Sequence, residues 1–266
     1  MSSHPFSLAG RRVLVTGAAS GLGRAFALAM AEAGAAVACA DIDPGAEATA
    51  AAIAARGGTA LFLPVDVAEE ASVATLPPAV ERGFGGLDVL VNNAGIAIPP
   101  GRLLDLSVRD WDRVMAVNLR GVFLCSRALL PLLLAGSDPA VINISSFLGQ
   151  VGLYPGFPIT ALPYAASKAG VDGFTRQLAI EYARDGLRVN AIAPGWHGGT
   201  ALGRERRAST TPAERERHEA FLRQSIPMGH RGTPEDITGL AVFLAGPASR
   251  YVTGQVFAHD GGLTAT

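Results

Sequence analysis

Cysteine is scarce in this 266-residue chain: Cys39 and Cys125 are the only two, far apart and in apolar surroundings. A disulfide framework and a cysteine-based zinc site are excluded, and the expectation is a reducing, cytoplasmic setting with no bound metal. An excess of one charge sign is also missing, because 22 basic and 23 acidic side chains leave a formal charge of −1. With no basic field, a nucleic-acid partner is not expected. Long hydrophobic runs are lacking too, since no stretch reaches the roughly 18 uninterrupted apolar residues of a membrane span. The nearest, Gly121 to Leu134, is broken by Arg127 and Pro131, and Met1 to Arg12 has no apolar signal core. A soluble protein with no membrane partner is the expectation. The low-hydrophobicity composition of a disordered chain is absent: 49% of residues are apolar and 17% charged, enough for a large buried core. The rarest charged side chain is lysine. Of the 22 basic residues 21 are arginine, and the one lysine is Lys168. A GC-rich genome explains the arginines but not the surviving lysine.

What is present is an alternation of short apolar runs and longer helical patterns. Strands are expected at Arg12–Thr16, Ala36–Asp41, Ala60–Val65, Leu87–Val91, Ala140–Ser145 and Leu187–Ile192, with one more at the end of the chain. Helices are expected at Gly21–Gly34, Gly45–Arg56, Glu69–Glu81 (weakened by Pro77 and Pro78), Ser107–Leu134 and Pro163–Ala183. Continuous apolar strands separated by helices indicate a parallel sheet covered on both faces, and right-handed crossovers make it a doubly wound α/β fold. No linker or repeat interrupts residues 1–266, which read as a single domain. Gly195 to Gly229 is an excursion carrying Arg204-Glu205-Arg206-Arg207 and Glu214-Arg215-Glu216-Arg217. It reads as a substrate lid or, on charge pattern alone, as a solvated surface helix.

Thr16-Gly17-Ala18-Ala19-Ser20-Gly21-Leu22-Gly23 follows the first strand and opens the first helix. Gly17, Gly21 and Gly23 let the backbone turn tightly beside a pyrophosphate, while Ser20, Leu22 and the helix N-terminus face it. Asp41 ends the second strand, where a carboxylate accepts hydrogen bonds from both adenosine ribose hydroxyls and repels a 2′-phosphate. Neither Ser20 nor Ile42, the neighbours of that place, is basic. NAD is therefore expected over NADP, although a strand-terminal aspartate is common by itself. Asp66 and Val67 close the third strand, where the adenine edge would lie. Asn92-Asn93-Ala94-Gly95 closes the fourth and also reads as a plain turn.

Tyr164-Ala165-Ala166-Ser167-Lys168 begins a helix after Pro163, and the i, i+4 spacing sets Tyr164 and Lys168 on one face. A phenol titrates near pH 10, and a neighbouring ammonium is expected to lower that value and make Tyr164 an acid/base. Ser146, at the end of a strand, suits a substrate carbonyl oxygen. Asn118 interrupts an apolar helical pattern, either to hold a water against Lys168 or as a buried, satisfied amide.

With these residues assembled, the chain resembles the short-chain dehydrogenase/reductase family, in its single-domain Rossmann branch, from about Leu8 to Leu263. The likeness rests on Thr16 to Gly23, Asp66, Asn92 to Gly95, Asn118, Ser146, Tyr164, Lys168, Pro194-Gly195, and the run Thr253-Gly254-Gln255-Val256 through Asp260-Gly261-Gly262. It implies a seven-stranded parallel sheet and hydride transfer between NAD(P) and an alcohol or ketone. It makes Tyr164 the acid/base, Ser146 the carbonyl orienter, Lys168 the ribose ligand and Asn118 part of a proton relay. It also implies a homotetramer, with small residues Ala165, Ala166, Ala169, Gly170 and Gly173 suited to close helix packing there or inside the subunit. Two features depart from the family pattern. The segment between Ser146 and Tyr164 is longer than usual and carries Tyr154 and Phe157, which with Trp196 and Leu202 would edge the substrate. Thr200, the candidate for the nicotinamide carboxamide, is offset by about one residue. His197 reads as a pocket-lining or surface residue. Two alternatives remain: an NADPH-dependent carbonyl reductase, and a redox-inactive NAD-binding sensor or scaffold.

Overall fold

β1 (Arg12–Thr16) is buried on both sides, and its neighbours decide the architecture: it pairs in parallel with β2 (Ala36–Asp41) and with β4 (Val89–Asn92). The computed structural model describes residues 4–98, 101–152, 162–200, 202 and 211–265. Its sheet has seven strands, all parallel, in the order β3-β2-β1-β4-β5-β6-β7, completed by β3 (Ala60–Pro64), β5 (Ala140–Ile144), β6 (Arg188–Pro194) and β7 (Val256–His259). Strand order reverses between β1 and β4, and a crevice opens there beyond their carboxyl ends.

Alternate side chains of each strand go to opposite faces. Val13, Val15, Val37, Cys39, Val89 and Val91 meet Phe26 and Met30 of α1 (Gly21–Glu32), Ile53 of α2 (Gly45–Ala54) and Leu244 of α9 (Thr238–Ala245). Leu14, Ala38, Leu90 and Val141 meet Val80 of α4 (Leu76–Phe84), Leu129 and Leu133 of α6 (Gly121–Leu134), and Leu178 of α7 (Leu162–Tyr182). Helices thus cover both faces, as the doubly wound reading requires.

The expected helix Glu69–Glu81 is two, α3 (Glu70–Val73) and α4, with the prolines of α4 in its first turn, where no hydrogen bond is lost. The expected helix Ser107–Leu134 is α5 (Val108–Met115) and α6 joined by a π-helical turn, Ala116–Arg120, with Asn118 at its centre. The run Val108–Leu134 is long and apolar enough to cross a bilayer; here Leu124, Cys125, Leu129 and Leu133 pack it against the sheet. Within residues 195–229, α8 (Pro212–Ser225) is described, whereas 201 and 203–210 lie outside the described residues. The small-residue stripe of α7 divides: a Cβ on Gly170 would press on Leu119 at 2.8 Å, whereas Gly173 faces open space.

Candidate active site

The crevice is lined first by the loop after β1. Gly17 and Gly21 take φ of +70° and +55°, which glycine adopts without strain. A Cβ at Gly17 would lie 2.7 Å from Asn93 Nδ2, and one at Gly23 would fall on the Gly17 carbonyl oxygen. Glycine here leaves a bare backbone concavity at the N-terminus of α1. Ser20 occupies the N-cap with its side chain in no capping bond. Asp41 reaches this loop: Oδ2 accepts from Ala19 N at 2.8 Å and Oδ1 from Asp43 N at 2.9 Å. Ile42 beyond it is exposed, and no cation follows it. Asp66 Oδ1 accepts from Ala68 N at 2.9 Å, and Val67 is buried against Gly121.

The far wall is the end of β4. The Thr16 hydroxyl accepts from Asn93 N and Ala94 N, both at 3.0 Å, and Asn93 Nδ2 donates to Thr16 O and Gly17 O at 2.9 and 3.2 Å. The side chain of Asn93 therefore fastens the glycine loop to β4. Gly95 comes next, where a Cβ would stand 3.6 Å from Lys168 Nζ. The loop continues to Ile96, whose N–H and carbonyl are both bound by Asn118, at 2.8 and 2.9 Å, while Asn118 Nδ2 also lies 3.2 Å from Ser167 Oγ. The amide is buried and satisfied, the second of the two sequence readings. It fixes the loop beneath the site and is not directed at Lys168.

Ser146 begins a 3-10 turn after β5, and its Oγ accepts from Leu148 N at 3.2 Å. The first turn of α7 sets Tyr164 opposite, and the two side chains share a hydrogen bond. Lys168, one turn on, is 3% exposed, and its Nζ donates to Ile144 O at 2.6 Å and sits 5.6 Å from the Tyr164 ring centroid. Ser146, Tyr164, Lys168 and Asn118 thus converge at one end of the sheet, beside the crevice. Below them a polar ladder is buried: Asn92 Nδ2 donates to Asn143 Oδ1 and Asn143 Nδ2 to Thr175 Oγ1, each at 2.9 Å.

The titration expectation needs correcting. Burial pushes the Tyr164 phenol up to about 12, with the Ser146 hydrogen bond pulling it back in part. Burial brings the Lys168 ammonium down to about 8, while Asp172 acts to raise it. The ammonium donates to the Ile144 carbonyl and stands over the Tyr164 ring, and burial penalises phenolate.

After β6, Gly195 N donates to His259 O at 2.9 Å, and a Cβ on Gly195 would lie 2.6 Å from Asp260 Cα, so only glycine fits. Pro194 is buried at the strand end, and Thr200, half-buried, follows Gly199 at φ +68°. Trp196 packs on Phe147 with centroids 5.4 Å apart and edge-on to His218 of α8 at 6.1 Å. Tyr154 and Phe157 lie outside the described residues. His197 is half-buried and partnered: Nε2 is 3.2 Å from His259 Nδ1 and Nδ1 is 3.3 Å from Gly195 O. Sequence reasoning missed this pair, as well as Phe147, His218 and Asp172. Neither histidine signals the other across 62 residues of chain.

A sequence model described as enoyl-(acyl carrier protein) reductase matches residues 17–264. The chain is 41% identical, over 97% of its length and 98% of the relative's, to cis-4-hydroxycyclohexanecarboxylate dehydrogenase of Sinomonas cyclohexanicum. The chain belongs to the short-chain dehydrogenase/reductase family. It is 38% identical over 95% of its length, and 96% of the relative's, to 2-(S)-hydroxypropyl-CoM dehydrogenase 3 of Xanthobacter autotrophicus. Its fold superposes on gluconate 5-dehydrogenase from Burkholderia cenocepacia, in complex with NADP and tartrate, with a TM-score of 0.88, 35% identity and 98% of each chain covered. Short-chain dehydrogenases are nicotinamide-dependent oxidoreductases, and the bare concavity over Gly17 and Gly23 in this short-chain dehydrogenase fits such a group.

Proposed function

We propose that the chain is an NAD-dependent dehydrogenase that interconverts a secondary alcohol and its ketone. The observation that carries this reading is the Ser146–Tyr164 hydrogen bond over a buried Lys168, at the mouth of a glycine-walled crevice. Gly17, Ser20, Gly21, Leu22 and Gly23 would hold the pyrophosphate, and Asp41 and Ile42 the adenosine ribose. Asp66 and Val67 would border the adenine, and Asn93, Ala94, Gly95, Pro194, Gly195 and Thr200 the nicotinamide half. The dinucleotide, when bound, supplies the acceptor for the hydride of the carbinol carbon. The protein's own part is proton handling and positioning. Ser146 Oγ orients the substrate oxygen. Tyr164 Oη takes the hydroxyl proton in oxidation and returns it in reduction. Lys168 would bind the nicotinamide ribose. Trp196, flanked by Phe147 and His218, with Tyr154, Phe157 and Leu202, would wall the substrate and favour a cyclic or apolar alcohol. The 195–229 segment acts as its lid, and the working form is a cytoplasmic homotetramer.

Tyr164→Phe tests the mechanism: NADH binding should survive and turnover on a panel of secondary alcohols should fall by about three orders of magnitude or more. Surviving turnover would overturn it. A second reading, an NADPH-dependent carbonyl reductase, is favoured by the NADP held by the Burkholderia relative. Comparing kcat/KM for NAD and NADP decides between them. Binding without turnover on any alcohol would point instead to a redox-inactive sensor.

A further inference from the structure

Away from the tyrosine and lysine, two half-buried histidines meet at the carboxyl end of the sheet. Their partners assign their protons. His197 Nδ1 lies 3.3 Å from Gly195 O, and a carbonyl only accepts, so Nδ1 carries the proton. In the neutral ring Nε2 is then bare and accepts. Its partner at 3.2 Å, His259 Nδ1, must therefore donate. The Gly195 N–H in turn donates to His259 O at 2.9 Å. These three bonds form a closed circuit, from the His259 main chain through the N–H and carbonyl of Gly195 to His197, and back to the His259 side chain. A further segment is tied in. Gly232 N donates to Trp196 O at 3.0 Å and Gly198 N to Gly232 O at 2.9 Å, and a Cβ on Gly232 would stand 2.6 Å from His197 Nε2. Among the described residues, the titratable groups acting on His197 are His259 from β7 and the exposed Asp236, whose carboxylate accepts from Thr233.

We propose that His197 and His259 form a clasp, a pair of positioning residues that sets the 195–200 loop against β7 for the nicotinamide half of the dinucleotide. This inference rests on the dinucleotide reading of the crevice. The rings act through Gly195, which they hold at both ends of its peptide units, and through Trp196 beside it. One added proton, on either ring, still leaves a hydrogen bond between them, whereas a second sets two N–H groups face to face. The clasp therefore fails only when both rings are charged, and burial opposes that charge at His197.

Spectroscopy and nucleotide binding test it on the full chain. In 15N-histidine protein at about pH 8, two-bond 1H–15N spectra should show both rings as the Nδ1–H tautomer, His197 being identified by its loss in H197Q and His259 by its loss in H259N. A proton on Nε2 of a neutral His197 would overturn the proposal. H259L removes the donor, and H259N keeps an N–H at the place of Nδ1. In a calorimetric titration H259L should bind NAD about tenfold more weakly than the wild type, yet bind ADP, which lacks the nicotinamide half, as the wild type does. H259N should restore NAD affinity to within about twofold. H197F, which keeps a ring over Gly232 and removes both nitrogens, gives the same comparison should H259L fail to fold. Equal losses for NAD and ADP, or an NAD affinity unchanged in H259L, would overturn the clasp. A wild type that binds neither nucleotide would instead overturn the dinucleotide reading, and the role of the clasp with it, while the tautomers stand.

Discussion

At the scale of single residues, the site is governed by hydrogen bonds that tune one phenol. Ser146 is the one group that pulls Tyr164 back from the value burial imposes. Removing it raises the phenol further, so a higher pH is needed to reach the phenolate. Ser146→Ala should therefore shift the acid limb of alcohol oxidation upward and lower kcat by about two orders of magnitude, measured by reduced-nicotinamide absorbance across pH. Asp41 belongs to this scale as well. Asp41→Ala removes the repulsion of a 2′-phosphate and should lower the NAD:NADP ratio of kcat/KM by about tenfold. A wild type that already prefers NADP would defeat that argument. Tyr164 and Lys168 were legible in the sequence because one turn of helix is local geometry. The partner of Asn118 was not, because Ile96 lies in a loop that only the tertiary fold carries beneath the helix.

At the scale of elements, boundaries moved while order held. β4 begins at Val89 and not Leu87, and β6 runs on to Pro194, since pairing with neighbours and not hydrophobicity ends a strand. α9 escaped the sequence reading: its eight residues, Thr238–Ala245, are too few for a periodic signal, yet Ala241, Leu244 and Ala245 are core. The π turn at Asn118 could not be read either, because polarity in a helical pattern does not disclose an extra residue in the turn. The glycine loop was legible because strand, turn and helix come in unbroken succession. Gly23→Ala should weaken NADH binding by about tenfold or more in a calorimetric titration, since the added methyl collides with the Gly17 backbone carbonyl as well as with the Asn93 side chain.

At the scale of the molecule, two apolar layers hold the sheet, and the site inherits its rigidity from them. Leu129 is fully buried beneath the sheet. Leu129→Ala should cost about 2–5 kcal/mol in chemical denaturation. NADH at a hundred times its Kd should return about 2.7 kcal/mol of that by mass action. The doubly wound topology was visible from alternation alone, whereas the join of β1 to β4 at the crevice needed the strand order. That join has a consequence for biosynthesis. Val13 lies opposite Val89, so the first strand leaves the ribosome with one edge bare and waits for residues 76 positions later. At about 5–20 residues per second this interval lasts roughly 4–15 s. A nascent chain stalled before Val89 therefore exposes the Val13–Val15 edge, where chaperones would be expected to bind.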